Sequence, residues 1–271
     1  MKSISEKIMS IQHQSRPNAN DYIKNIFDDF VEMHGDRLFG DDPSIVGGIA
    51  TLNKIPITII GQVRGRNLNE NIKYNFSMSH PEGFRKSLRL MKQAEKFNRS
   101  IVCFVDTLGA YPGIEAEERG QNAAIANNLM EMMMIKVPIF SVIIGNGGSG
   151  GALALSVANE IVMLENAILS VISPKGCADI LWKDAKRYIE AAEMMKMTAQ
   201  DIYELGFADI IIKESEDRTN IDDKLIYERV KIVLSMLIKK YNHVSGHKAQ
   251  KMRFNKIRKI GLHLYQYNKI R

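Results

Sequence analysis

Seven residues in the middle of the chain, Gly145-Asn-Gly-Gly-Ser-Gly-Gly151, lie between a run of buried-strand character and the apolar start of a helix. Glycine lets a backbone come close to a ligand and adopt positive φ. The first turn of a helix presents N–H groups without intrahelical acceptors, backed by the positive end of the dipole. Together these predict a site for an oxyanion or a phosphate; a plain linker is not normally flanked by core segments on both sides. A second glycine-bearing loop, Asp106-Thr-Leu-Gly-Ala-Tyr-Pro-Gly113, follows another buried strand and precedes Glu117-Glu-Arg-Gly-Gln121. Two such loops at the same end of neighbouring strands would line one cleft. That arrangement suits charge developing on carbonyl oxygens, as in an enolate, and requires no side-chain nucleophile.

The same residues match other patterns. Gly145, Gly147 and Gly150 spell a dinucleotide fingerprint, with Glu165 placed for a ribose hydroxyl. Against it, the following helix is short and the loop lies midway along the chain. Gly147-Gly-Ser149-Gly-Gly151 fits a nucleophile elbow, whose later histidine would have to come from His243, His247 or His263 in the tail. Met195-Lys196-Met197 has the form of a biotin-attachment signature, but the flanking residues read as helix rather than an exposed β-hairpin tip.

The elements that must position these loops follow from periodicity. Asn20 is the expected N-cap of a helix reaching His34, with Ile23, Ile26, Phe27, Phe30 and Val31 on one face. Strands are expected at Ile45–Leu52 and Ile55–Val63, joined by Asn53-Lys54, and a helix from Pro81 to Phe97. A repeated unit comes next: strand Ile101–Val105, loop, helix from about Glu117 to Ile135; strand Val137–Ile144, loop Gly145–Gly151, helix Ala152–Ala158. Short strands at Ile161–Leu164 and Ile168–Val171 precede a helix from Pro174. A helix capped by Thr198 and ended by Gly206, then the strand Ala208–Ile212, complete the pattern. Strands alternating with helices predict an α/β layer fold. Lys213 to Asn220 reads as a polar loop, and the residues after Tyr241 as a helical extension.

Composition sets the outer bounds. The 271 residues are 45% hydrophobic and 25% charged, sufficient for a proper core. No apolar run of membrane-spanning length occurs, and Met1–Ser10 lacks the apolar stretch of a secretory signal, so a cytoplasmic protein is expected. The two cysteines, Cys103 and Cys177, have no C-x-x-C partner, which argues against a zinc site or disulfide framework. The net charge of +6 is uneven: Lys239 to Arg271 carries ten Lys or Arg and no acid. Such a tail could bind nucleic acid, or pack as a basic helix on an acidic partner or on the protein's own body.

Several motifs, in order and spacing, resemble the acetyl-CoA carboxylase carboxyltransferase alpha-subunit family. They are Asp106-Thr-x-Gly-Ala-Tyr-Pro-Gly113, Ala116-Glu-Glu-Arg-Gly-Gln121, Gly147-Gly-Ser-Gly-Gly-Ala-Leu-Ala154, Val171-Ile-Ser-Pro174 and Gly176-Cys-Ala178. Upstream, His34-Gly-Asp-Arg-Leu-Phe-Gly-Asp-Asp-Pro43, Gly47-Gly48, Gly65-Arg66, Asn75-Phe76 and Pro81-Glu-Gly-Phe-Arg-Lys86 agree too. The resemblance is close over residues 16 to 212 and loose over Arg253 to Gly261. It implies a crotonase-like (ClpP-like) superfamily fold, a spiral of ββα units. The expected division is an N-terminal helical segment (1–40), a carboxyltransferase core (41–215) and C-terminal helices with the basic tail (216–271).

The resemblance further implies transfer of a carboxyl group from carboxybiotin to acetyl-CoA, giving malonyl-CoA for fatty-acid synthesis. Backbone N–H groups of Gly150 and Gly151 would form the oxyanion hole. Gly109, Ala110, Tyr111, Pro112, Gly113, Gly147, Gly148, Ser149 and Ala152 would shape the carboxybiotin side of the cleft. No cofactor is expected to be bound covalently and no metal is expected; carboxybiotin would arrive on a separate carrier protein, with acyl-CoA as co-substrate. Expected partners are a beta subunit bearing a zinc ribbon, in an α2β2 assembly, with the biotin carboxyl carrier protein and biotin carboxylase completing the ATP-dependent complex. The sequence departs from the family pattern at Gln62, Leu108, Glu115 and Asn146, and in the Lys-Glu-Ser-Glu-Asp-Arg segment after Ile212. Those departures keep two rivals open: a biotin-dependent carboxyltransferase or decarboxylase subunit for another acyl thioester, and a non-catalytic binding subunit.

Overall fold

The computed structural model describes residues 3–214 and 223–262. Helix α1 (Ile4–Gln12) and helix α2 (Ala19–Ile26) precede an edge strand β1 (Asp28–Glu32), the hairpin β2 (Ile45–Leu52) and β3 (Ile55–Gln62), and a short α3 (Leu68–Lys73). Next come α4 (Pro81–Lys96), β4 (Ser100–Thr107), α5 (Ile114–Glu118), α6 (Gln121–Met134), β5 (Ile139–Gly148) and α7 (Ser149–Leu153). Strands β6 (Glu160–Leu164) and β7 (Ile168–Ser170) lead to α8 (Pro174–Trp182), α9 (Tyr188–Met194), α10 (Ala199–Glu204) and β8 (Ile210–Ile212). Two helices, α11 (Asp223–Tyr241) and α12 (Gly246–Lys259), follow.

One eight-stranded sheet runs β1-β2-β3-β4-β5-β6-β8, with β7 added to β5. The hairpin is antiparallel and in register from Leu52↔Ile55 to Ile45↔Gln62. Its turn residues Asn53 and Lys54 both take positive φ (52° and 66°), matching the twist that a two-residue hairpin demands. From β3 onward the neighbours are parallel, so each crossover needs a helix and the strands are buried on both faces. Strand β5 divides: Phe140 to Ile143 pair with β6, whereas Asn146 to Gly148 pair with β7. The glycine segment thus leaves the main sheet direction while still hydrogen-bonded.

Helix α2 covers one face, where Tyr22 stacks on Phe104 with centroids 5.4 Å apart and meets Tyr227 of α11 edge-on at 5.3 Å. Helices α4 and α6 pack together on the other, with Leu90, Met91 and Ala94 of α4 fully buried. A Cβ at Gly47 would lie 2.5 Å from Leu90 Cδ1, so only glycine lets α4 sit this close to β2. Between β1 and β2, Asp36 Oδ1 accepts the N–H groups of Leu38, Phe39 and Gly40 while Oδ2 takes Arg85 at 2.7 Å. Lys86, wholly buried, donates to Asp41 at 2.5 Å and to Asp42 O at 3.0 Å.

Several expectations need correction. The helix expected to reach His34 is capped by Asn18 rather than Asn20 and ends at Ile26, because residues 28–32 pair with β2 as a strand. The helix expected from Glu117 to Ile135 is broken by Gly120, whose φ of 84° separates α5 from α6. The Gly145–Gly151 segment is not a loop over its first half: Gly145 to Gly148 extend β5, and the helix begins at Ser149, not Ala152. Helix α1 falls within the segment expected to be helical (1–40), whereas α3 carried no assignment from sequence. The basic tail packs on its own body: Arg253 is fully buried and donates to Asn159 Oδ1 at 2.6 Å, Lys240 meets Glu160 at 2.5 Å, and Lys256 pairs with Asp209. The segment after Glu214 (215–222) and the end of the tail (263–271, including His263) lie outside the described residues.

Candidate active site

At the carboxyl ends of β4 and β5 the two glycine segments meet. A cleft of about 500 Å³ is lined by Thr107 to Pro112, Asn146 to Ser149 and Ile168 with Ser170 to Pro174, closed by Ile8 and Gln12 of α1 and by Glu117, Gln121 and Asn122. The contact between the loops is backbone to backbone. A Cβ at Gly148 would stand 2.3 Å from Leu108 O, and one at Gly151 would stand 2.7 Å from Gly109 C. Gly145 is required for a different reason: its Cβ would meet the Asp106 carboxylate at 2.4 Å. That carboxylate accepts the Asn146 N–H at 2.8 Å and lies 3.5 Å from Arg64 Nε, anchoring the start of the glycine segment. Burial raises its pKa, against the lowering pull of Arg64 and the Asn146 hydrogen bond.

Of the residues expected at the site, Gly109, Ala110, Tyr111, Pro112, Gly147, Gly148 and Ser149 line the cleft directly. Gly150 is half-buried in the first turn of α7, where N–H groups have no intrahelical acceptor. Gly151 and Ala152 are buried behind it, against the Gly109–Ala110 backbone, and Gly113 stands back as the N-cap of α5.

The β4 loop is held at both ends. The Thr107 hydroxyl accepts the Gly109 N–H at 3.0 Å and reaches Ser77 O. Tyr111 donates its N–H to Ser79 O at 3.1 Å and stacks on His80 with centroids 4.0 Å apart. Arg119 reaches His80 Nδ1 at 3.2 Å and Glu82 at 2.6 Å, fixing the ring on which Tyr111 rests. Glu115, fully exposed, is held below the usual carboxylate range by its own backbone N–H and by the Tyr111 hydroxyl.

The competing patterns fail on geometry. Gly145 lies inside a strand, α7 is five residues long, and Glu165 accepts the Glu214 N–H at 3.1 Å, so no dinucleotide turn exists. Ser149 does sit at a strand-to-helix turn with φ of 48°, yet among the described residues no histidine hydrogen-bonds it. Lys196 is exposed at the end of α9, not on a β-hairpin. Burial pushes the Cys103 thiol up to about 12, which removes it as a nucleophile. Among the described residues no cluster of His, Cys, Asp or Glu could hold a metal, and no helix is long and apolar enough to cross a membrane.

Sequence reasoning missed α1 as a wall of the cleft, and it missed the buried amides Gln62 and Gln121. The only sequence signal for the amides was position: a polar residue closing an apolar strand, and a glutamine opening a helix directly after Gly120.

Comparison with known proteins agrees with this architecture. Residues 3–261 match the family described as acetyl co-enzyme A carboxylase carboxyltransferase-like. The chain is 52% identical over 94% of its length, and 93% of the relative's, to the acetyl-coenzyme A carboxylase carboxyl transferase subunit alpha of Clostridium botulinum strain Eklund 17B. It is 53% identical over 96% of its length, and 98% of the relative's, to the subunit of that name from Ruminiclostridium cellulolyticum. Among solved structures, transcarboxylase 12S superposes with a TM-score of 0.69 at 18% identity, covering 87% of this chain and 43% of that one. The beta subunit of P. aeruginosa geranyl-CoA carboxylase superposes with a TM-score of 0.65 at 14% identity, covering 92% and 46%. At these identities the superpositions establish the crotonase-like fold of the carboxyltransferases. With its sequence matched almost end to end and its fold shared with these enzymes, the chain belongs to the acetyl-CoA carboxylase carboxyltransferase alpha-subunit family.

Proposed function

We propose that this chain supplies the carboxybiotin-facing half of a carboxyltransferase that makes malonyl-CoA from acetyl-CoA, and that the N–H groups of Gly150 and Gly151 form its oxyanion hole. One observation carries the reading: two glycine backbones from β4 and β5 converge on a cleft where, among the described residues, no side-chain nucleophile is paired with a base. Such a site acts by placing fixed dipoles where charge develops. As CO2 leaves carboxybiotin, negative charge grows on the ureido oxygen, and the first turn of α7 meets it with two N–H groups. The ureido enolate so formed takes the α-proton of acetyl-CoA, and the resulting carbanion attacks CO2. Each donor is worth about 2.7–4 kcal/mol to the transition state. The thioester enolate would be held by a beta subunit, in an α2β2 assembly served by a biotin carrier protein in the cytoplasm.

Leu108, exposed at the cleft, and Glu115, exposed beside the cleft residue Tyr111, favour one second reading, a different acyl thioester with the same chemistry. The deciding experiment is co-expression with a carboxyltransferase beta subunit, followed by malonyl-CoA-dependent carboxylation of free biotin. Turnover on malonyl-CoA supports the first reading. A stable complex that turns over only another malonyl-type thioester, such as methylmalonyl-CoA, establishes the second; no turnover on any of them refutes both.

A further inference from the structure

Three buried carboxamides hold backbone carbonyls around the cleft. Gln62 Nε2 donates to Gly151 O at 2.8 Å. Gln121 Nε2 donates to Ser79 O at 2.8 Å and to Tyr111 O at 2.9 Å, tying the β4 loop to the segment before α4. Asn128 Nδ2 donates to Ala154 O at 3.2 Å and to Ser87 Oγ at 2.7 Å. Their relative exposures are 0%, 2% and 0%, and the amide oxygen of each has no hydrogen-bond partner among the described residues. Leaving a buried acceptor unpaired is unfavourable, so these side chains stand where their donors are needed.

The need is clearest at Gly151. In a regular helix its carbonyl would accept the Leu155 N–H, but that N–H bonds Ala152 O at 3.1 Å because the end of α7 tightens. Gly151 O is thereby left to Gln62. Helix α7 is five residues long and its first residue, Ser149, has positive φ, so it is too short to hold its own geometry. A peptide plane fixed at Gly151 fixes the turn that carries the Gly150 and Gly151 N–H groups.

We propose that Gln62 is a positioning residue of this site: it sets the first turn of α7 without lining the cleft. The proposal rests on the reading of the cleft given above, and it separates from that reading because the backbone effect is measurable without turnover. The variants are Gln62→Met, which keeps length and removes the donor, and Gln62→Glu, whose carboxyl donates to Gly151 O only when protonated. Ile57→Val, in the core at the far end of β3, serves as the structural control.

In the reconstituted complex, Gln62→Met is expected to lower kcat roughly 100-fold, the scale of a 1 Å misplacement, with KM for malonyl-CoA within about twofold. The ratio of Gln62→Glu to wild-type kcat should climb as pH falls from about 8 to about 6, because protonation restores the donor. Hydrogen exchange of the isolated chain should accelerate over residues 149–155 in Gln62→Met and not in Ile57→Val. A Gln62→Met complex with near-wild-type kcat, a pH-independent ratio, or unchanged exchange over 149–155 would each overturn the proposal. If the wild-type complex fails to carboxylate biotin, the functional reading falls, and the exchange experiment still decides the positioning role.

Discussion

Replacing Gly148 by alanine tests whether the close approach of the two loops is what makes the site. The added Cβ would lie 2.3 Å from Leu108 O and 2.8 Å from Gly109 N, both backbone atoms that cannot rotate away. Restoring an ordinary contact requires the loops to part by about 1 Å, and a displacement of that size at a reacting centre costs about 100-fold in rate. Overpacking of this kind also costs about 1–3 kcal/mol of stability, a small enough loss for the chain still to fold and assemble. Gly150 offers the matched contrast two residues on: a Cβ there first meets Ile125 Cγ2 at 3.5 Å, an ordinary contact, and its φ is not positive. Gly150→Ala keeps the N–H and should stay within about threefold of wild type. The assay is kcat and KM for malonyl-CoA-dependent biotin carboxylation, with melting temperature and subunit assembly recorded in parallel. Gly148→Ala retaining full kcat, or Gly150→Ala losing as much as Gly148→Ala, would refute the reasoning.

Three further predictions follow from other parts of the molecule. Ser149→Ala should keep carboxyl transfer within a few-fold and should not change labelling by a serine-directed phosphonate, since among the described residues Ser149 has no hydrogen-bonded base; a complete loss of turnover would restore a nucleophilic role. Burial raises the pKa of Asp41, but Lys86 and the Gly35 N–H outweigh it and bring the carboxyl to about 2. A depressed acid stabilises the fold above its unfolded pKa and loses that contribution as pH falls from about 4 through about 2. Asp41→Asn should therefore cost about 1 kcal/mol near neutrality, solvent screening at this exposed carboxylate reducing the effect, and flatten the acid limb of a denaturant-midpoint titration. Arg253→Ala, which strips the donor from Asn159 and from the carbonyls of Ile135 and Val137, should destabilise by about 3 kcal/mol and leave nucleic-acid affinity unchanged. A drop in nucleic-acid binding without loss of stability would return the tail to an interaction role.

The resemblance and the local patterns reached a long way. Strand β2 was legible residue for residue because its apolar and glycine pattern ends at a two-residue turn, and Pro81 marked the start of α4. The glycine segments were legible as the walls of one cleft because glycine between a strand and a helix has few other uses. What misled was local continuity. The apolar run from Ile23 to Val31 continues smoothly, yet pairing with β2 converts its second half to a strand, and no short-range signal announces a tertiary partner. Likewise Gly145 to Gly148 look like loop, but β7 supplies a strand to pair with them.

The sequence by itself determined the order of the strands from β2 to β8, the two glycine segments, the absence of a C-x-x-C zinc pattern, and the concentration of positive charge after Tyr241. Each of these depends on neighbours within a few residues or on composition, which a linear reading captures. Only the tertiary structure decided that Gly148 and Gly151 touch the Leu108–Ala110 backbone, that α1 and Gln121 wall the cleft, and that Gln62 holds it from behind. It also decided that Arg253 is part of the core and not of a solvated tail. These pairings join residues tens to more than a hundred positions apart, and their geometry is set by how the sheet's parallel crossovers stack, a property no single segment carries.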